Sequence, residues 1–297
     1  MACASKGHED IKRNQNGSDN SSDGKGASGN YGARDDGLQK ALVEADGNME
    51  EAIDSLRKSS GLKAAKKAGR IAADGTIVVK SDKNGGTMVE VNCETDFAAK
   101  DENFLAFAER IASAAHAQSG TDVASLMEGE LEAEREALVQ KIGENCSVRR
   151  ITKFAGQVAA YIHSNAKIGV LVSQEGGDEA LGKDLAMHIA ASNPQFVSPD
   201  QVDEGTIAKE REIYSAQAAE SGKPPEIVEK MVEGRIKKFL SEISLTEQGF
   251  VKDPDTTVAK LLKQEGAAIH GFSRFEVGEG IEKEEVDFAA EVQQQLS

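Results

Sequence analysis

The chain has no tryptophan, three tyrosines and ten phenylalanines, and aromatic residues make up 4% of its 297 positions. A core with so few rings has to close on small side chains, which the alanine-rich helical stretches supply. Cysteine is equally scarce: Cys3, Cys93 and Cys146 form no close-spaced pair and no metal-binding pattern. Cys93 and Cys146 stand in apolar contexts and read as small buried thiols. No run approaches the about 18 apolar residues of a membrane-spanning helix. The first residues lack the apolar centre of a secretory signal, so a cytoplasmic chain with no membrane partner is expected. Basic residues are in deficit, 35 against 51 acidic ones, for a formal net charge of −16. Phosphate attraction dominates nucleic-acid affinity, so that balance excludes nucleic acid as the expected partner.

Catalytic signatures are also missing. The five histidines show no HExxH spacing, and there is no P-loop, nucleophile elbow or glycine-rich dinucleotide fingerprint. No catalytic residue, cofactor or metal site is expected, and the chain is read as not an enzyme. What is there is ordinary for a folded protein, with 39% hydrophobic and 29% charged residues. The length suffices for two domains or one large one with a buried core. A solvated acidic protein of this kind suits a protein partner.

Met1 to Asp36 is rich in Gly, Ser, Asn, Asp and Lys and too poor in apolar residues to offset chain entropy, so disorder is expected there. From Leu38 a helical spacing recurs through Ala41, Leu42 and Ala45. Asp46-Gly47-Asn48 punctuates as a turn, and Met49, Ala52, Ile53 and Leu56 mark a second amphipathic helix. Lys58 to Arg70 is a basic connector. Thr76–Lys80 and Thr87–Cys93 read as strands joined by an Asn84-Gly85-Gly86 turn, followed by a helix from Asn103.

A weaker echo of that pattern follows. Val158–His163 and Ile168–Ser173 flank a Ser164-Asn165 turn, and a Gly176-Gly177 break precedes a helix over Leu185–Ala191. Lys80-Ser81 matches His163-Ser164, and Leu105-Ala106-Phe107 resembles Leu185-Ala186-Met187. This reads as an internal duplication: two β-hairpin-plus-helix subdomains sharing one core, with a helix over Glu130–Ile142 between them. Asp203 to Ile243 interrupts the second copy. Its helices, Ile207–Ala219 and Ile227–Leu240, are separated by Ser221-Gly222-Lys223-Pro224-Pro225 and predict an antiparallel helical hairpin. Its charged faces are either solvated surface or a partner contact. Thr257–Gln264 looks helical, Phe272–Val277 looks like a returning strand, and Asp287–Leu296 looks like a short helix with Phe288, Ala289 and Val292 on one face. The expected class is α+β.

The most informative stretch is Val91-Asn92-Cys93-Glu94-Thr95-Asp96-Phe97-Ala98-Ala99-Lys100-Asp101-Glu102-Asn103-Phe104. A strand ends in it, a helix begins after it, and an acid and a large ring stand side by side between them. Loops at strand ends are where a scaffold presents functional groups. Two readings stand: an exposed Phe97 that wedges into a partner, or a core Phe97 beside an Asp96 that caps the next helix.

Glu90 to Lys100 resembles the signature segment of bacterial translation elongation factor Ts. So do Lys63-Ala64-Ala65-Lys66-Lys67-Ala68-Gly69-Arg70 with Ala72-Ala73-Asp74-Gly75, and Lys141-Ile142-Gly143-Glu144-Asn145. Further matches are Ala186-Met187-His188-Ile189-Ala190-Ala191-Ser192, Lys230-Met231-Val232-Glu233-Gly234-Arg235 and Phe275-Glu276-Val277-Gly278-Glu279-Gly280. They run in the family's order from about Leu38 onward.

The resemblance implies a guanine-nucleotide exchange factor. Its expected partner is elongation factor Tu, GDP-bound and nucleotide-free, from which it promotes GDP release by disturbing the Mg²⁺ site. It implies that Thr95, Asp96, Phe97 and Ala98 do this, with Phe97 as the inserted ring. His163 is a further candidate contact by resemblance and a structural side chain without it. The implied organisation is a partial N-terminal helical domain and linker over 37–69 and a core subdomain over 70–155. A second core subdomain covers 156–280 with the hairpin at 203–243, and a C-terminal helical module covers 281–297. A non-catalytic adaptor with another protein partner is the alternative.

The beginning departs from the family, which opens with a VKELR-type helix and then TGxGMMDCKKAL. Back-translated and read from the second codon base, Gly32 to Gln39 permits G-Q-G-M-M-D-C-K, and Gly24 to Gly29 permits V-K-E-L-R. Either Met1 to about Gln39 derives from a shifted reading frame restored near Lys40, or it is a divergent tail.

Overall fold

Val89, Val91 and Cys93 alternate along one strand with Met88, Glu90 and Asn92, and both sets are buried. A strand buried on both faces must lie between two layers, and this one organises the fold. The computed structural model describes residues 35–220 and 223–282. In chain order its elements are α1 (Asp35–Glu44), α2 (Met49–Lys67), β1 (Asp74–Asp82), β2 (Gly85–Cys93), α3 (Glu102–Ala117) and α4 (Val123–Leu126). Then come α5 (Glu130–Ile142), β3 (Cys146–Ala155), β4 (Val158–Ile162), β5 (Ile168–Glu175) and α6 (Glu179–Ser192). The remainder is α7 (Glu204–Ala219), α8 (Pro225–Ile243), β6 (Gly249–Phe250), β7 (Asp253–Thr257), α9 (Val258–Gln264) and β8 (Ala268–Glu276). The class is α+β, as expected.

The two main sheets are antiparallel and share a topology, β1-β2-β3 and β4-β5-β8. In each, a hairpin is followed by a helix, and a third strand pairs with the hairpin's second strand. The first sheet turns Val78, Val89, Val91 and Cys93 toward Phe104, Phe107, Ala108, Ile111 and Ala112 of α3. The second turns Val170 and Val172 toward Leu181, Leu185 and Ile189 of α6. Between the sheets, Ile77 and Met88 meet Leu171 and Phe275, so the order of layers is helix, sheet, sheet, helix. Glycine sets that approach: a Cβ on Gly169 would stand 2.5 Å from Ile77 Cγ2, and one on Gly86 2.8 Å from Leu171 Cδ1.

Glu90 brings a charge into this layer. Its carboxylate, fully buried, accepts from Arg149 (3.0 Å), Arg150 (2.5 Å), Asn92 Nδ2 (3.1 Å) and the Gly278 N–H (2.9 Å). The ladder slips between Glu90 and Val91, opposite Arg150 and Val148. That bulge lets two consecutive arginines serve one carboxylate. Arg150 also lies 4.1 Å from the centre of the Phe275 ring.

The end of α3 is held from outside the helix. Lys153 of β3 donates from Nζ to the carbonyls of Ala115 (2.8 Å), His116 (3.2 Å) and Gln118, groups that have no acceptor role left inside the helix. α7 and α8 keep a small core of their own, Ala218, Val232 and Ile236 with Tyr214, Val228 and Leu240. At their base Phe196 bridges to Ser244. α1 and α2 close on Ala41, Ala52 and Leu56 and leave Val43 exposed.

Several expected boundaries move. The first hairpin turns through Lys83-Asn84, since Gly85 already pairs with Asp82, and Gly85 and Gly86 are strand residues rather than turn. β3 was not expected from the sequence, because the bulged Arg149-Arg150 interrupts its alternation. α6 starts at Glu179, earlier than Leu185, because its cap is Asp178. Asp35 and Asp36, expected to be disordered, are instead the first residues of α1; the rest of the disorder expected over Met1 to Asp36, the Ser221-Gly222 break and the C-terminal helix over 287–296 lie outside the described residues.

Candidate partner-docking loop

Cys93 and Cys146 are the last pair in the ladder of β2 and β3. Past them the backbones part, yet side chains continue the same register. Glu94 Oε1 accepts from the Asn145 N–H at 2.5 Å. One step further, Glu144 accepts from the Thr95 N–H (3.0 Å) and from the Thr95 hydroxyl (2.7 Å) with its two oxygens. The thiols help: Cys93 donates to the Thr95 carbonyl (3.2 Å) and Cys146 to that of Glu144 (3.8 Å). Burial pushes the Cys146 thiol up to about 12 and raises the Cys93 thiol as well, so both stay protonated donors. Asn145 in turn reaches the Arg70 carbonyl (2.9 Å), and the Lys67 ammonium reaches that of Gly143.

From this frame the loop is short. The Thr95 hydroxyl accepts from the Ala98 N–H (3.2 Å) and the Thr95 carbonyl from the Ala99 N–H (3.1 Å), which starts a 3-10 turn over Ala98–Lys100. Ala98 and Ala99 are buried and anchor the turn, whereas Phe97 is 82% exposed. Asp96 pairs with Lys100 at 2.8 Å. Hydrogen bonding from the Lys100 ammonium holds the Asp96 carboxyl below the usual carboxylate range, and the charges of Lys100 and Lys167 add to this. The cap of α3 is Asp101, whose Oδ1 accepts from the N–H groups of Asn103 (2.8 Å) and Phe104 (3.3 Å). The reading in which Phe97 is core and Asp96 the cap is therefore overturned.

His163 sits in the turn between β4 and β5. Its N–H donates to Ile168 (2.9 Å), its carbonyl accepts from Ala166 (2.8 Å), and its Nδ1 lies 3.1 Å from the Tyr161 hydroxyl. Ala166 takes φ 55° there, which costs strain for a residue with a Cβ. This turn meets β1: the Ile77 N–H donates to Ala166 at 3.0 Å, and Lys167 reaches Asp74 and the Gly75 carbonyl. Asp74 is the ladder partner of Cys93. Thr95, Asp96, Phe97 and Ala98 are thus brought to the same end of the molecule as His163, with Phe97, Ile162 and His163 all exposed.

His188 is a different case. It is buried, its Nε2 faces Gln248 Oε1 at 2.9 Å and its Nδ1 accepts from the Val251 N–H at 3.1 Å. Burial lowers its pKa, and it is a satisfied core side chain. Sequence reasoning missed the part played by Glu144 and Asn145. Their signal was present in the motif, but without β3 there was no register to set them opposite Thr95 and Glu94.

Residues 94–279 match the family model described as Elongation factor TS. A protein of Hahella chejuensis named elongation factor Ts is 62% identical over 261 residues, covering 87% of this chain and 91% of its own. Its counterpart in Marinobacter nauticus is 59% identical over 257 residues, 86% and 89% of the two chains. One from Idiomarina loihiensis is 55% identical over 265 residues, 87% and 91% of the two chains.

Proposed function

We propose that this chain, which belongs to the elongation factor Ts family and so is a translation elongation factor, promotes release of GDP from elongation factor Tu. An exchange factor makes and breaks no bond. It binds the nucleotide-free GTPase more tightly than the nucleotide-bound one, and linkage then drives the nucleotide off. The partner holds its nucleotide partly through Mg²⁺ in near-octahedral coordination, so small displacements around that ion loosen the nucleotide. In this reading Thr95, Asp96, Phe97 and Ala98 form the segment that intrudes on the ion's surroundings. His163 makes a further contact, and the complex persists until GTP binds.

The observation that carries the reading is the exposure of Phe97. A large apolar ring 82% exposed on a loop braced on both sides is held ready for burial against a partner. Burying it contributes roughly 1.5–3 kcal/mol, or one to two decades at about 1.4 kcal/mol each. Other contacts supply the rest of the coupling. The test is release of fluorescent GDP from elongation factor Tu with and without the chain. Acceleration by the wild type and its loss in Phe97→Ala support the proposal, and a wild type that leaves the release rate unchanged sinks it.

A further inference from the structure

We infer that Glu144 is a positioning residue: acting through the Thr95 hydroxyl, its carboxylate sets the direction in which Phe97 leaves the surface. The inference rests on the exchange reading above and adds a residue to it. The Thr95 hydroxyl has one proton, and the 2.7 Å bond to Glu144 Oε1 commits it. The oxygen's lone pairs then face the Ala98 N–H, 3.2 Å away. That N–H belongs to the peptide that follows Phe97, so the relay fixes the Phe97 backbone at φ −69°, ψ −48°. With its ring 82% exposed, Phe97 takes little orientation from packing, and its backbone has to supply it. The second oxygen of Glu144 takes the Thr95 N–H, so one carboxylate holds both donors of Thr95 at the start of the short turn.

Glu144 is itself held independently of the loop. α5 ends in Gly143 at φ 87°, a left-handed cap that turns the chain back toward β3. Lys67 binds the Gly143 carbonyl, and Asn145 is tied to Arg70. The brace therefore runs from the α2–α5 side of the molecule into the loop. Its Thr95 partner lies at the surface, where a bond of this type adds little to global stability. Its loss should appear as disorder of residues 96–98 and not as unfolding.

The experiment uses the full chain with Glu144→Ala, Glu144→Gln, Thr95→Val and the double variant Glu144→Ala/Thr95→Val. Backbone order parameters for Asp96 to Ala98 report the loop directly. Release of fluorescent GDP from elongation factor Tu gives a maximal rate and a half-saturating concentration. In Glu144→Ala the order parameters should fall from about 0.85 toward about 0.6. The maximal rate should drop about tenfold, as for loss of one charge-assisted hydrogen bond, with half-saturation nearly unchanged. Thr95→Val should reproduce that loss, and the double variant should be no worse than either single one. Glu144→Gln offers one acceptor where Thr95 presents two donors, leaves the hydroxyl proton uncommitted, and should lose much of what Glu144→Ala loses.

An ordered loop in folded Glu144→Ala would overturn the inference. So would losses that multiply in the double variant, or a Glu144→Gln with the order and rate of the wild type, which would mean that the hydroxyl proton need not be committed. If the wild type fails to release GDP, the functional proposal falls, while the order parameters still decide whether Glu144 holds the loop.

Discussion

Glu90 accepts a 2.9 Å hydrogen bond from the backbone N–H of Gly278, 188 positions further along the chain. Burial on its own would raise the Glu90 carboxyl. The Gly278 N–H and the guanidinium groups of Arg150 and Arg149 outweigh it, and the net shift is downward from 4.5. A depressed carboxyl contributes stability that is present above its unfolded value and is lost as pH falls through its folded value. Urea midpoints should therefore decline below about pH 4.5, with a component absent from Glu90→Gln. At neutral pH Glu90→Gln should cost up to about 3 kcal/mol, because two partly buried guanidiniums lose their counter-charge. Equal acid sensitivity in the two proteins would refute this role for Glu90.

Phe97→Ala separates surface from core. Since the ring is exposed, the melting midpoint should hold to within about 0.5 kcal/mol of stability, while stimulated GDP release slows by one to two decades. A core residue would instead cost about 3–5 kcal/mol. An early-melting variant with normal exchange is the outcome that contradicts the docking role.

Gly169→Ala probes the seam between the sheets. The added methyl meets Ile77 Cγ2 at 2.5 Å and Met88 Sδ at 3.0 Å, and neither lies on a free surface. Denaturant titration should show a loss of about 1–3 kcal/mol. A neutral substitution would mean that the sheets slide apart without cost.

Excision of 204–242 with a short Gly-Ser joint should leave a cooperative thermal transition. α7 and α8 pack chiefly on each other, and the pairing of Phe196 with Ser244 stays behind as a closed base. Affinity for elongation factor Tu should weaken. Loss of the cooperative transition would show that the hairpin belongs to the core.

Much of this architecture could be read from the chain because local signals agreed with it. The Thr87–Cys93 strand and the Glu130–Ile142 helix each state their period in a few residues. What stayed hidden depends on distance. The repeat of a hairpin followed by a helix was legible, but the matching of its positions slipped: Leu105 was matched to Leu185, yet the caps Asp101 and Asp178 set Phe104 against Leu181. Leu105 is 40% exposed, whereas Leu185 is fully buried. Of the candidate site, Thr95 to Ala98 stood out on sequence because an acid and a ring share a loop. Its exposure was undecidable there, because a phenylalanine after a strand is compatible with either face. Glu144 lies 49 positions from Thr95, and only the register of a strand broken by a bulge sets the two opposite.

The lysine that closes α3 belongs to a strand formed more than thirty residues later. Growing from the first hairpin, the chain reaches Ala115, His116 and Gln118 with carbonyls that only water can serve. Those carbonyls find a partner within the protein when Lys153 arrives. Hairpin, helix and third strand are therefore expected to mature together, which leaves this half of the molecule unfinished until β3 pairs with β2. Slow hydrogen exchange at the end of α3 should appear together with that of β3, in one kinetic step.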